Sequence, residues 1–125
     1  MPASPPVVLT IAGSDCSSGA GIQADIKTVT ALGGYAATAI TALTIQNTMG
    51  VNGVVATPPK AVRAQMEAVL KDIGADVLKT GMLGDKLLVE TIAETPLDQE
   101  LRDAVEQRMR EYFEMSAAAM VNSDD

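Results

Sequence analysis

The apolar positions of this chain fall into short blocks set off by glycine, serine and proline. Residues 7–12 are almost continuously apolar, as expected of a strand buried on both faces. Across residues 20–32 the spacing becomes helical, with Ile22, Ile26, Val29 and Leu32 recurring on one side until Gly33-Gly34 stops the helix. Between them lies a small-residue loop, residues 13–19. Residues 35–43 predict a second strand, 44–50 a polar connection, and 51–56 a short third strand. Thr57-Pro-Pro59 opens a helix, since proline fits the first helical position. Residues 60–73 then place Val62, Met66, Val69 and Leu70 on one face. Residues 77–80 predict a short strand and 81–85 a second glycine-bearing loop. Residues 86–94 predict a helix carrying Leu87, Leu88 and Ile92.

The resulting order, β-α-β-β-α-β-α, is that of an α/β fold. The carboxyl ends of parallel strands lie along one sheet edge, which is where such folds bind ligands. The loops at Gly13 and Gly81 are therefore expected to face one pocket although they lie far apart in sequence. Thr95-Pro96, with Asp98 three residues after the threonine, marks a fresh helix start. Beyond it Leu97, Leu101, Val105, Met109, Phe113 and Met120 recur at roughly helical spacing in a stretch dense in charged residues. The chain thus divides into residues 1–95, an α/β unit, and 96–125, an amphipathic helix with a polar tail.

Composition narrows the classes. Hydrophobic residues make up 47% and aromatics only 2%, so the core is built from Val, Ile, Leu, Met and Ala. A net charge of −7 gives no basic footprint for nucleic acid and no polybasic patch for anionic lipid. No apolar run reaches the length of a membrane span. The start of the chain lacks a basic region of the signal-peptide kind, so a cytoplasmic location is expected. With one cysteine and no histidine, no internal disulfide and no Cys/His zinc site is expected.

Several residues could carry chemistry. The loop after the first strand combines glycines, which let a ligand approach the backbone, with Asp15 and, one turn into the helix, Asp25. It is neither a G-x-G-x-x-G nor a Walker A loop. Read plainly, it is a βα turn with Ser17 or Ser18 capping the helix. Gln46-Asn47-Thr48 offers a side-chain amide able to donate and accept at an aminopyrimidine edge, or simply a turn. Met82 offers an adaptable apolar lid for a flat ring, or a core residue, with Asp85 as an N-cap. Lys27 reads as a solvated helix residue. Lys79 reads as a phosphate contact or a snorkelling surface lysine. Cys16 has no histidine to act as its base, and no catalytic role is expected of it.

Taken together, these segments resemble the hydroxymethylpyrimidine/phosphomethylpyrimidine kinases of thiamine biosynthesis. The resemblance is carried by Thr10-Ile-Ala-Gly-Ser-Asp15, Gly19-Ala-Gly-Ile-Gln-Ala-Asp-Ile-Lys27, Ala31-Leu-Gly33, Ile40-Thr-Ala-Leu43, Gln46-Asn-Thr48, Gly50-Val51 and Lys79-Thr-Gly-Met-Leu83. It implies a ribokinase-like α/β three-layer sandwich. It also implies ATP- and Mg2+-dependent phosphorylation of 4-amino-5-hydroxymethyl-2-methylpyrimidine and of its monophosphate. By the same resemblance Gln46 bonds the aminopyrimidine edge, Gly13 and Ala20 line the ring with backbone groups, and Met82 packs against it. Asp25 falls where the family places an acid near the hydroxymethyl end. Pyridoxal kinases share the fold, so a pyridoxal-kinase-like relative is the alternative, as is a non-catalytic pyrimidine-binding or interaction fragment.

The resemblance runs from Val8 to Glu94. Family members continue with an Asp-Pro-Val-Met type strand and, near their end, a Gly-Thr-Gly-Cys type anion hole, and residues 96–125 match neither. The expectation is an incomplete fold with no catalytic loop, no cofactor-binding residues and no metal ligands of its own. The isolated chain is then expected to have little or no kinase activity, because phosphoryl transfer depends on donors aimed at developing charge. A shortened sheet would expose an edge and an apolar face, so homo-oligomers are a further expectation.

Overall fold

The computed structural model describes residues 4–96 and Asp103. Its elements run β1 (Val7–Asp15), α1 (Gly21–Ala31), β2 (Tyr35–Asn47), β3 (Gly50–Ala56), α2 (Pro59–Asp72), β4 (Val77–Thr80) and α3 (Lys86–Glu94). The order is the one the periodicity predicts. The helix expected from Leu97 to Met120 lies outside the described residues.

One mixed sheet holds the elements together, in the order β3-β2-β1-β4. β1 is central and parallel to both β2 and β4, while β2 and β3 form an antiparallel hairpin. This explains the apolar continuity of residues 7–12: each face of β1 is covered by helix. Leu9 and Ile11 pack with Val62 and Met66 of α2 and Leu88 and Ile92 of α3. The opposite face, through Thr10, meets Asp25 of α1. Helices on both faces make three layers. Leu9, Ile11, Val62 and Met66 are fully buried. Burying one such side chain is worth about 1.5–3 kcal/mol.

Two boundaries differ from the sequence reading. β1 was expected to end at Ala12, yet it continues through Gly13 and Ser14 to Asp15. Its backbone stays paired with β2 across a bulge, and the Thr44 hydroxyl donates to the Ser14 carbonyl at 2.9 Å. β2 likewise continues past Leu43 to Asn47, because Thr44 and Gln46 find partners on β3. The expected polar connection shrinks to a tight turn in which Asn47 Oδ1 accepts from the Met49 N–H at 2.9 Å. Where β3 is not yet alongside β2, Gln65 of α2 substitutes for a strand, bonding both the N–H and the carbonyl of Ile40.

Caps differ too. Neither Ser17 nor Ser18 caps α1: the N-cap is Ala20, without a side-chain bond. Asp85 does cap α3, accepting from the Leu88 N–H at 2.9 Å. Thr95 serves as the C-cap of α3, its hydroxyl donating to the Thr91 carbonyl. Exposed apolar side chains lie on the hairpin, where Leu43, Ile45, Val51, Val54 and Val55 are all at least half exposed.

Candidate functional site

A cavity of about 180 Å³ opens at the carboxyl end of β1 and β4. Drug-sized pockets run from about 300 Å³ upward, so this one suits a single substituted ring. Gly13, Ala20, Gln46, Gly81 and Met82 all line it, together with Asp15, Thr44 and Lys79. The two glycine-bearing segments therefore do share one pocket.

Local irregularities place the two central residues. In the β1–β2 pairing, Ala12 faces Ile40 but Ser14 faces Leu43, so β2 carries the extra residue, with Thr41 and Ala42 opposite Gly13. In the β2–β3 pairing, Ile45 faces Gly53 but Gln46 faces Val51, so β3 carries the extra residue, Asn52, beside Gln46. Bulges re-aim side chains and are common beside binding sites. A side chain at Gly13 would sit 2.9 Å from the Met82 methyl, so glycine keeps the wall thin there. The Gln46 side chain is half-buried, and its amide makes no hydrogen bond among the described residues. Its backbone is held by Cys16: the thiol donates to the Gln46 carbonyl at 3.1 Å and accepts from the Gln46 N–H at 3.3 Å. Cys16 thus positions β2 rather than standing free in its loop.

Asp15 organises the loop between β1 and α1. It is 3% exposed and accepts from the Ser17 N–H, the Ser17 hydroxyl and the Ala20 N–H at 2.7–2.9 Å. The Ser17 hydroxyl bond holds the carboxyl below its ordinary value of 3.8. Burial opposes this, and backbone donors of Ser17, Ala20 and Gly19 add to it. Ala20 accordingly has its N–H committed to Asp15, and its carbonyl accepts from Ala24. It walls the cavity without a free backbone group. Lys27, read from sequence as merely solvated, donates to the Ser18 carbonyl at 2.7 Å, where Ser18 adopts a positive φ of 68°.

Met82 is 44% exposed, so it is not a core residue. It stands between this cavity and a second one of about 240 Å³ lined by Thr41, Val54, Pro58 and Leu83 among others. Asp25 does not line the first cavity. It lies behind Lys79, whose Nζ bonds both its carboxylate oxygens at 2.9 and 3.0 Å, while the Thr10 hydroxyl donates to Oδ2 at 2.6 Å.

Three supporting residues had no role in the sequence reading. Gln23 donates to the Ser14 hydroxyl at 2.7 Å and accepts from the Asp15 N–H at 2.8 Å, clasping the end of β1. Its signal was available, since a polar residue in the first turn can reach back to the chain before the helix. Thr41 and Thr44 tie β2 to neighbouring carbonyls. Nothing in the strand pattern distinguishes them from other strand threonines. Among the described residues no three Asp, Glu, Cys or His side chains converge to hold a metal ion.

The sequence pattern of the family described as phosphomethylpyrimidine kinase matches residues 15–106. The chain belongs to this family. A Streptomyces coelicolor relative named hydroxymethylpyrimidine/phosphomethylpyrimidine kinase is 55% identical over 93 residues, covering 74% of this chain and 35% of the relative. The crystal structure of phosphomethylpyrimidine kinase from Clostridium difficile superposes with a TM-score of 0.70 at 47% identity, over 72% of this chain and 39% of that one. A Staphylococcus aureus pyridoxal kinase, solved with AMP-PCP and pyridoxal, superposes with a TM-score of 0.66 at 40% identity, over 74% and 35%. The fold is therefore the ribokinase-like α/β fold of these phosphomethylpyrimidine and pyridoxal kinases. It spans about a third of the length of the Streptomyces phosphomethylpyrimidine kinase. No helix among the described residues is long and apolar enough to cross a membrane.

Proposed function

We propose that this chain supplies the acceptor pocket for ATP-dependent phosphorylation of hydroxymethylpyrimidine and its monophosphate in thiamine biosynthesis. The observation that carries the reading is the convergence of Gly13, Ala20, Gln46 and Met82 on one ring-sized cavity. In this reading Gln46 presents its uncommitted amide to the aminopyrimidine edge, because one amide both donates and accepts. Gly13 lets the ring lie against the backbone of β1, and Met82 covers a ring face with a polarizable thioether. Asp25 acts at the hydroxymethyl end through Lys79, the side chain that stands between it and the cavity. ATP would supply the transferred phosphoryl group, with Mg2+ as its companion ion. No step is assigned to a metal on the described residues. Residues 1–95 form the kinase-family unit in this proposal and 96–125 a separate segment. A cytoplasmic setting follows from the biosynthetic role.

Calorimetric titration with 4-amino-5-hydroxymethyl-2-methylpyrimidine tests the reading. Saturable heat from the wild-type chain and a loss of about tenfold or more in Gln46→Ala is the expected result, the size of a hydrogen bond removed from a half-buried site. Equal null heats from both proteins would sink it. Pyridoxal serves as the second titrant, because the Staphylococcus structure holds pyridoxal on a related fold. Tighter binding of pyridoxal would transfer the pocket to the alternative substrate.

A second copy of the chain is the proposed macromolecular partner. The stretch from Thr28 to Pro59 contains no charged residue, in a chain of net charge −7. It includes the whole β2–β3 hairpin with its exposed apolar side chains. Like-charged copies approach most easily through a neutral apolar face, and an exposed edge strand without charge is a template for pairing.

A further inference from the structure

The cluster Thr10–Asp25–Lys79 joins β1, α1 and β4, and only Lys79 of the three lines the cavity. Thr10 is fully buried, so its hydroxyl must find a partner inside the protein, and it donates to Asp25 Oδ2 at 2.6 Å. Asp25 in turn receives Lys79 Nζ on both oxygens. Lys79 is the more open of the pair, with 45% of its side chain exposed against 18% for Asp25. An ammonium carries three donors. Two are spent on one carboxylate, and no other hydrogen-bond acceptor among the described residues takes the third. Gly81 keeps the approach open: a side chain there would lie 3.3 Å from Lys79 Nζ and 2.8 Å from the Ala12 methyl.

We infer that Lys79 is a specificity-determining residue, whose free donor reads the oxygen-bearing substituent of the ring, hydroxyl or phosphate ester. Thr10 and Asp25 are positioning residues that hold the ammonium in place. The inference rests on the pyrimidine reading of the cavity and deepens it. A lysine is a flexible point charge that loses much rotamer freedom when fixed. Anchoring it on a carboxylate that is itself tied to a buried hydroxyl removes that cost before a ligand arrives. The carboxylate also tempers the positive charge, so the site accepts a neutral hydroxymethyl group and favours its phosphate ester without demanding it.

The test is titration of the full chain with three ligands: the hydroxymethylpyrimidine, its monophosphate, and the 2,5-dimethyl-4-aminopyrimidine that lacks the oxygen. The wild-type chain is expected to bind the monophosphate tightest and the dimethyl compound weakest. In Lys79→Met the three affinities should fall within about threefold of one another, with the dimethyl compound bound as before. Thr10→Val should shrink the preference for the monophosphate by about threefold or more, and Thr10→Ser should restore it, a rescue that a purely structural role would not produce. Thermal melts of each variant establish that it is folded. Should Thr10→Val not fold, Lys79→Met decides alone. Retention of the wild-type order by Lys79→Met overturns the inference. An unchanged preference in folded Thr10→Val removes the positioning role of Thr10. A wild-type chain that binds none of the three ligands refutes the pyrimidine reading itself, and this inference with it.

Discussion

The Thr41 hydroxyl donates to the backbone carbonyl of Met82 at 2.6 Å, joining β2 to the loop after β4 across β1. Thr41 is 2% exposed, so the bond is set in the interior and reaches out to a residue on the cavity wall. Loss of the hydroxyl in Thr41→Val keeps the side-chain shape and leaves that carbonyl without its donor. The expected cost is about 1 kcal/mol in thermal or denaturant unfolding. Ligand affinity should fall alongside, because Met82 then lacks its anchor. Unchanged affinity in Thr41→Val would mean that Met82 is placed by Gly81 alone, whose N–H donates to the Ile11 carbonyl at 2.9 Å.

Gly21 opens α1 at a φ of 61°, and a side chain there would collide with the Gly13 carbonyl. Backbone cannot move aside as a side-chain tip can. Gly21→Ala is expected to lose about 1–3 kcal/mol from the left-handed φ, with the collision adding to it, and to distort the cavity wall at Gly13. Gly33 has a φ of 87° with open space around it, so Gly33→Ala carries only the backbone penalty of about 1–2 kcal/mol. Urea unfolding of both variants checks the order, and an equal loss would remove the role of the Gly13–Gly21 approach.

Asp15 makes stability depend on pH. Its folded carboxyl lies below the ordinary value of 3.8, chiefly because of the Ser17 hydroxyl. The unfolded chain therefore binds more protons in that range, and stability rises with pH through it. The contribution is present above the unfolded value and is lost as pH falls through the lower folded value. Asp15→Asn should be less stable than wild type near neutrality, and the gap should close between about pH 5 and pH 2. Melting temperatures across that range measure it; a gap independent of pH would show that shape rather than charge is at stake.

Val55 and Ile45 lie on the uncharged hairpin, 56% and 54% exposed. If copies associate there, Ile45→Glu and Val55→Lys should each lower the mass seen by light scattering at matched concentration, since a charge in an apolar contact loses its hydration. The melting temperature should then become independent of protein concentration. A wild-type chain that scatters as a monomer at all concentrations would end the second-copy proposal.

Met66 of α2 is fully buried in the cluster it forms with β1 and α3. Met66→Ala should cost about 2–5 kcal/mol, from lost burial and the cavity left behind. Gln46→Ala, on the cavity wall, should leave unfolding nearly unchanged. Calorimetric melts of the two variants separate core from site, and similar losses in both would make Gln46 a structural residue.

Hydrophobic period, punctuated by glycine and proline, determined the seven elements and their order, because burial on one or both faces writes itself directly into residue spacing. Local chemistry determined the Asp85 cap and the stop after Leu32, which depend only on neighbours in the chain. Motif order was enough to point to the family and to single out Gly13, Ala20, Gln46 and Met82. Tertiary structure alone decided the rest. Thr44 and Gln46 looked like turn residues and became strand, because pairing with β3 supplied hydrogen bonds that no local preference reveals. Ala20 has a small, neutral side chain, yet Asp15 claims its N–H across the loop. Lys79 could be read equally as solvated or as a phosphate contact until α1 brought Asp25 to within 3.0 Å of it. Such assignments rest on which distant residue arrives beside a given atom, and that is a property of packing in three dimensions rather than of spacing along the chain.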